Sequence, residues 1–209
     1  FVNDQRGYSS AIYGIYTSHS SGAQSGALVF STRNAGTFAE RMRLDSAGNL
    51  GIGTSSPSSL YAGANNLVVG GGSGSTGMTI YSGTSDVGRL FFADGTSGAD
   101  AYRGWVEYGH TGNDMTFGTN GGTKLTLTSA GNLGLGVTPS AWTGTAFQVG
   151  ARSALFSLSD ARTVLSNNVF YDGSYKYIAT ATASQYTQTS GQHIWLQAAS
   201  GTAGNAISF

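Results

Sequence analysis

The hexapeptide Ser46-Ala47-Gly48-Asn49-Leu50-Gly51 recurs unchanged as Ser129-Ala130-Gly131-Asn132-Leu133-Gly134. An internal repeat limits a chain to folds assembled from copies of one small unit. The match continues in both directions. Leu44 answers Leu127, Ile52 answers Leu135 and Gly53 answers Gly136, and the only two prolines, Pro57 and Pro139, follow at nearly the same distance. Leu67-Val68-Val69-Gly70 and Phe147-Gln148-Val149-Gly150 come next in the two copies, and Leu28-Val29-Phe30 and Met115-Thr116-Phe117 precede them. A third element, Gly204-Asn205-Ala206-Ile207-Ser208-Phe209, copies Gly112-Asn113-Asp114-Met115-Thr116-Phe117 where another turn motif falls due. The sequence thus divides into repeat units 1–60 and 61–142, each ending in the turn motif, and 143–209, which stops before one. It reads as a segment of a longer repetitive protein.

Apolar residues alternate on either side of each motif: Met42 and Leu44, then Leu50 and Ile52; Leu125 and Leu127, then Leu133, Leu135 and Val137. Period-two alternation around a Gly-Asn pair predicts a β-hairpin, with Gly48, Asn49, Gly131 and Asn132 as turn residues. The same pattern predicts that Leu44, Leu50 and Ile52 are buried, and likewise Leu127, Leu133 and Leu135. Gly51, Gly53, Gly134 and Gly136 leave one strand face bare, which predicts that another backbone packs closely there. Short aromatic runs such as Ala11–Tyr16, Arg89–Phe92 and Tyr175–Ile178 lie between Gly/Ser/Thr turns, and no convincing 3.6-residue period is present. The expected fold is all-β, built of repeated hairpin, sandwich or prism units in an elongated fibre.

Composition bears on how such units are held together. The 209 residues include 33 Gly and only 10% charged residues, against about 7% and 25% in ordinary domains. Leu, Ile, Val and Phe supply about one residue in five, near the level where burial barely offsets chain entropy. A thin core with bare glycine faces predicts a homotrimer. The formal net charge is +0 with scattered cations, which excludes a strong field toward nucleic acid or anionic membranes. No apolar run is long enough to span a bilayer, and the first residues, Phe1-Val2-Asn3-Asp4-Gln5-Arg6, do not read as a secretory signal. The absence of Cys removes disulfides and thiolate metal sites.

The string Met42-Arg43-Leu44-Asp45-Ser46-Ala47-Gly48-Asn49-Leu50-Gly51-Ile52-Gly53-Thr54-Ser55-Ser56-Pro57 resembles an element of tail fibre and tailspike-like proteins of tailed bacteriophages. Residues 171–178 and 200–207 are similar to another segment of those fibres, and the matched stretches cover about a third of the chain. The resemblance implies a homotrimeric virion component, located in the tail fibre, that joins other tail proteins and meets a glycan or protein receptor on the host. In that family the element often precedes a cleaved C-terminal chaperone. No segment here resembles one, so a shaft or shaft-adjacent role is expected. A polysaccharide-hydrolysing tailspike and a cellular adhesin or glycan-binding module are the alternatives.

No catalytic, metal or cofactor site is expected. Gly70–Gly77 superficially resembles a phosphate loop but lacks the Gly-Lys-Ser/Thr ending. His19, His110 and His193 stand far apart, so only symmetry would gather copies of one around an ion. Asp94, Asp100, Glu107 and Asp114 form the densest acidic stretch, beside Tyr102, Trp105 and Tyr108. Glycoside hydrolysis needs two suitably spaced carboxylates, but Asp-Gly and Asn-Asp pairs read first as turns. Trp105, Tyr108 and Glu107 are therefore candidates for glycan contact rather than for catalysis.

Overall fold

The computed structural model describes residues 3–4, 7–159 and 162–209, and the described chain is all-β. It falls into two compact units, Phe1–Thr79 and Ile80–Phe209. In the first unit β1 (Asn3–Asp4) pairs with β2 (Gly7–Tyr8). A five-stranded sheet follows, made of β3 (Ser10–Ser20), β4 (Ala23–Asn34), β5 (Thr37–Leu44), β6 (Leu50–Ile52) and β7 (Leu67–Val69) in that order. Neighbours are antiparallel except that β7 runs parallel to β6.

The second unit has a ten-stranded sheet. Its strands are β8 (Val87–Phe92), β9 (Gly104–Gly109), β10 (Asp114–Thr119), β11 (Gly122–Leu127), β12 (Leu133–Leu135), β13 (Ala146–Val149), β14 (Ser153–Ser159) and β15 (Arg162–Asn167). After a separate hairpin of β16 (Val169–Tyr171) and β17 (Tyr175–Tyr177), the sheet resumes with β18 (Ala181–Thr189) and β19 (Gln192–Gly201). Two-residue turns join several strands. Ala35-Gly36, Asn120-Gly121 and Ser190-Gly191 hold positive φ at both positions, which matches the natural twist of a tight hairpin.

The repeat is structural. In both copies the motif closes an antiparallel hairpin, β5–β6 or β11–β12, with matching bonds. Asp45 N–H donates to Asn49 O at 2.9 Å, as Thr128 N–H donates to Asn132 O at 2.9 Å, and Gly53 N–H reaches Arg41 O as Gly136 N–H reaches Lys124 O. Gly48 and Gly131 take φ of +85° and +82°, a region that costs other residues about 1–2 kcal/mol. A parallel strand then returns in identical register, Leu50 opposite Leu67 and Leu133 opposite Phe147. The third apolar-x-Phe element takes another path. Ile207 N–H donates to Tyr175 O beside the β16–β17 hairpin, and Ile207 and Phe209 pack against Val169, Tyr177 and Ala183.

The expected core face of the motif is reversed. Leu44, Ile52 and Leu127 are each 40% exposed, Leu135 is 44% exposed, and Leu50 and Leu133 are only half-buried, whereas Gly51, Asn49, Gly134 and Asn132 are buried. The cause is the chain's own return path. After each hairpin it folds across the glycine side, so that a methyl group on Gly134 would overlap the Val137 carbonyl oxygen and lie 2.8 Å from Pro139 Cδ. On Gly51 the same group would lie 2.6 Å from Thr54 O. The backbone that glycine admits is thus a local one. Gly53 and Gly136 serve differently, through φ of +81° and +70°.

The well-buried residues of the second unit lie on the same side as Gly134. Trp142, Ala146, Ala154, Phe156 and Val164 form the main cluster, with Phe170, Tyr171 and Tyr175 of the β16–β17 hairpin packed over it. Gln148 is buried there and accepts from Ser140 N–H at 2.9 Å and Trp142 Nε1–H at 3.2 Å.

Candidate functional site

Strand register shows what the uncovered face presents. In the five-stranded sheet Leu28, Leu44, Leu50 and Leu67 stand opposite one another in one row, and Ile12, Phe30, Met42, Ile52 and Val69 in the next row on that face. In the ten-stranded sheet one row runs Tyr108, Met115, Leu127, Leu133, Phe147, Leu155, Leu165, Tyr186 and Trp195. The next row on the same face begins Leu90, Val106, Phe117, Leu125, Leu135 and Val149 and turns polar at Ser153, Asn167 and Ser184. These side chains are half-buried to exposed, and Trp195, the extreme case, is 77% exposed. No Asp, Glu, Lys or Arg stands in these rows.

The three glycan-contact candidates separate. Strand pleating puts Trp105 and Glu107 on the face opposite the apolar rows, while Tyr108 joins the apolar row and bonds Asn113 Oδ1 through its hydroxyl at 3.1 Å. Trp105 lies across β10. A methyl group on the buried Gly118 would collide with the indole, and the indole N–H donates to Thr116 Oγ1 at 3.2 Å. Glu107 pairs with Arg89 across the β8–β9 ladder, and the Arg89 guanidinium also sits 5.8 Å from the Phe91 ring centre. With Tyr102 these residues line an open hollow of about 240 Å³. Sequence reasoning left out Arg89 and Phe91 as partners of this site. Their i, i+2 spacing gives them a common face, but the β8–β9 register that sets them beside Glu107 and Trp105 is non-local.

The remaining acidic residues do not converge on this hollow. Asp94 and Asp100 both pair with Arg103, which also donates to Asn120 Oδ1, and Asp114 opens β10. Asp45 accepts from Asn49 N–H and Ala47 N–H, each at 2.9 Å, and the Asn49 backbone bond leads in holding its carboxyl below the usual range. Lys176 does the same for Asp172. His19 meets Tyr16 with tilted rings, His110 meets Tyr108 edge-on, and His193 bonds the Tyr186 hydroxyl. Among the described residues no group of three or more His, Asp or Glu side chains is arranged to hold a metal ion. No helix among them is long and apolar enough to cross a membrane. Gly70–Gly77 is an irregular, largely exposed loop that opens no helix.

Neither a family model nor a curated protein matches the chain.

Proposed function

We propose that the chain is a structural, non-enzymatic segment of a viral tail fibre that assembles as a homotrimer and spaces or presents a host-receptor-binding surface. The observation that carries this reading is the in-register apolar face present in both repeats. A half-exposed Leu or Phe leaves roughly 80 Å² of its surface in water, so the exposed members of the ten-stranded sheet's rows sum to on the order of 700 Å². The largest apolar patch of a typical monomer is about 300–600 Å², and each partner in a stable interface gives about 800 Å². Another copy of the chain, with matching apolar rows and no charge to leave unpaired, suits such a face. The bacteriophage assignment rests on the resemblance of the turn motif.

Sedimentation equilibrium of the intact chain tests the assembly. The expected mass is three times that of one chain, falling to one chain when Leu155 and Leu165 are both replaced by Lys. A folded, stable monomer at tens of micromolar overturns the reading.

A further inference from the structure

We propose that the hollow formed by Arg89, Phe91, Tyr102, Trp105 and Glu107 is a binding site for an uncharged sugar unit of a surface polysaccharide. The proposal rests on the fibre reading only in placing that polysaccharide on a host.

Trp105 is the platform. Gly118 makes room for the indole to lie flat on the sheet, and the bond to Thr116 occupies its only donor. The ring therefore offers a π face rather than a hydrogen bond, and the negative face of an aromatic quadrupole attracts the weakly positive C–H groups of a sugar ring. Phe91 is 47% exposed and Tyr102 41% exposed, with ring centres 6.2 Å apart. They leave aromatic surface uncovered around the platform.

The Arg89–Glu107 pair supplies polarity without net charge. Arg89 Nε–H donates to Glu107 Oε2; the guanidinium has further N–H groups and the carboxylate has a second oxygen. Sugar hydroxyls both donate and accept, so a matched pair suits them. An anionic ligand would meet Glu107 and a cationic one Arg89. The hollow is below the roughly 300–1,000 Å³ of pockets that enclose drug-sized ligands, which fits a single ring.

The frame is built before a ligand arrives. Arg103 ties Asp94, Asp100 and Asn120 together, and the N–H groups of Asp94 and Gly95 both donate to Asp100 O, fixing the Gly98–Tyr102 turn that carries Tyr102. Such preorganisation lowers the ordering cost of binding. The hollow lies on the face opposite the apolar rows, so self-assembly through those rows leaves it open. A trimer would display three copies, and weak single sites gain avidity when engaged together.

A glycan array carrying bacterial surface polysaccharides, probed with the labelled intact chain, tests the site. Trp105→Ala and the isosteric Glu107→Gln should each weaken binding at least tenfold. Trp105→Tyr should keep part of it, and Tyr61→Ala, in the other unit, should keep all of it. Wild-type chain that binds no glycan on the array, or binding undiminished in Trp105→Ala and Glu107→Gln, overturns the proposal. Sedimentation of the same samples reads assembly separately. A monomer that binds through Trp105 keeps the site and removes the fibre reading; a trimer that binds nothing removes only the site.

Discussion

Replacing Gly134 by Ala tests whether the return path, rather than the turn alone, dictates the glycines of the motif. The added methyl group would overlap the Val137 carbonyl oxygen and approach Pro139 Cδ and Cγ to 2.8 and 3.0 Å, so residues 137–139 must shift. That segment leads to Ser140 and Trp142, whose N–H groups share Gln148 Oε1, and on to Ala146, whose N–H donates to Asn132 Oδ1 at 2.8 Å. Overpacking costs about 1–3 kcal/mol and straining or losing one or two of these bonds about 1 kcal/mol each. The stiffer unfolded chain returns about 0.4–1 kcal/mol, leaving a net loss of about 1–4.5 kcal/mol.

Gly131→Ala is the control, because φ is +82° there and nothing lies within 4 Å of the added group; its cost is the left-handed backbone alone, about 1 kcal/mol net. All three tryptophans, Trp105, Trp142 and Trp195, lie in the second unit. Thermal unfolding followed by tryptophan emission at fixed protein concentration therefore reports on that unit, and each kcal/mol should move Tm by about 3–5 °C for a unit of this size. If Gly134→Ala is no more damaging than Gly131→Ala, the close approach of residues 137–139 to Gly134 does not exist.

Acid should separate the two turns. Asp45 has a folded pKa below its unfolded value, so its contribution is present above the ordinary carboxylate range and is lost as pH falls through the folded value. Hydrogen-exchange protection at Ala47 and Asn49 should drop on acidification while Asn132, bonded to Thr128 Oγ1, keeps its own, and Asp45→Thr should abolish the difference. Asn168, fully buried at φ +60°, donates to the carbonyls of Ala179, Ala181 and Thr182 and accepts from Ala179 N–H. Asn168→Ala should destabilise by about 2–4 kcal/mol in a thermal melt; a loss under about 1 kcal/mol would contradict that bonding. Incubation with bacterial surface polysaccharide should release no oligosaccharide, since among the described residues Glu107 alone brings a carboxylate to the hollow and hydrolysis calls for two. Release abolished by Glu107→Gln would refute this and favour a tailspike.

The repeat and the all-β class were legible because both depend on local constraints. Gly48 and Gly131 mark positive φ, and Leu44, Leu50 and Ile52 mark a strand period with no helix in it. Which face would be covered was not legible. Alternation fixes that Gly51 and Leu50 point oppositely, but the choice between them lies with the Thr54–Pro57 and Val137–Pro139 segments, whose path is tertiary. The same limit applied to the hollow. Pleating alone separates Tyr108 from Trp105 and Glu107, yet nothing in the sequence pairs Arg89 with Glu107. The Gly204–Phe209 copy shows the converse, since a matching pattern led to a different path once β16 and β17 were there to receive it.

The two rows of the apolar face do not extend equally far, and this bears on what the repeat encodes. Both rows are apolar across β10 to β13, as they are across β4 to β7. Beyond β13 the second row becomes Ser153, Asn167 and Ser184, and only the row of Leu155, Leu165, Tyr186 and Trp195 stays apolar. The full-width face therefore runs through the repeated module, and the narrowing begins at β14, with strands that have no counterpart in the first unit. Under the proposed self-assembly, a face repeated with its turn would carry its own assembly instructions, because each added copy brings both the glycines that admit the return path and the leucines on the other side of the same strands. In that proposed assembly, strands that follow such a module would contribute only one row to self-association, leaving their second row to carry the hydroxyl and amide groups of Ser153, Asn167 and Ser184.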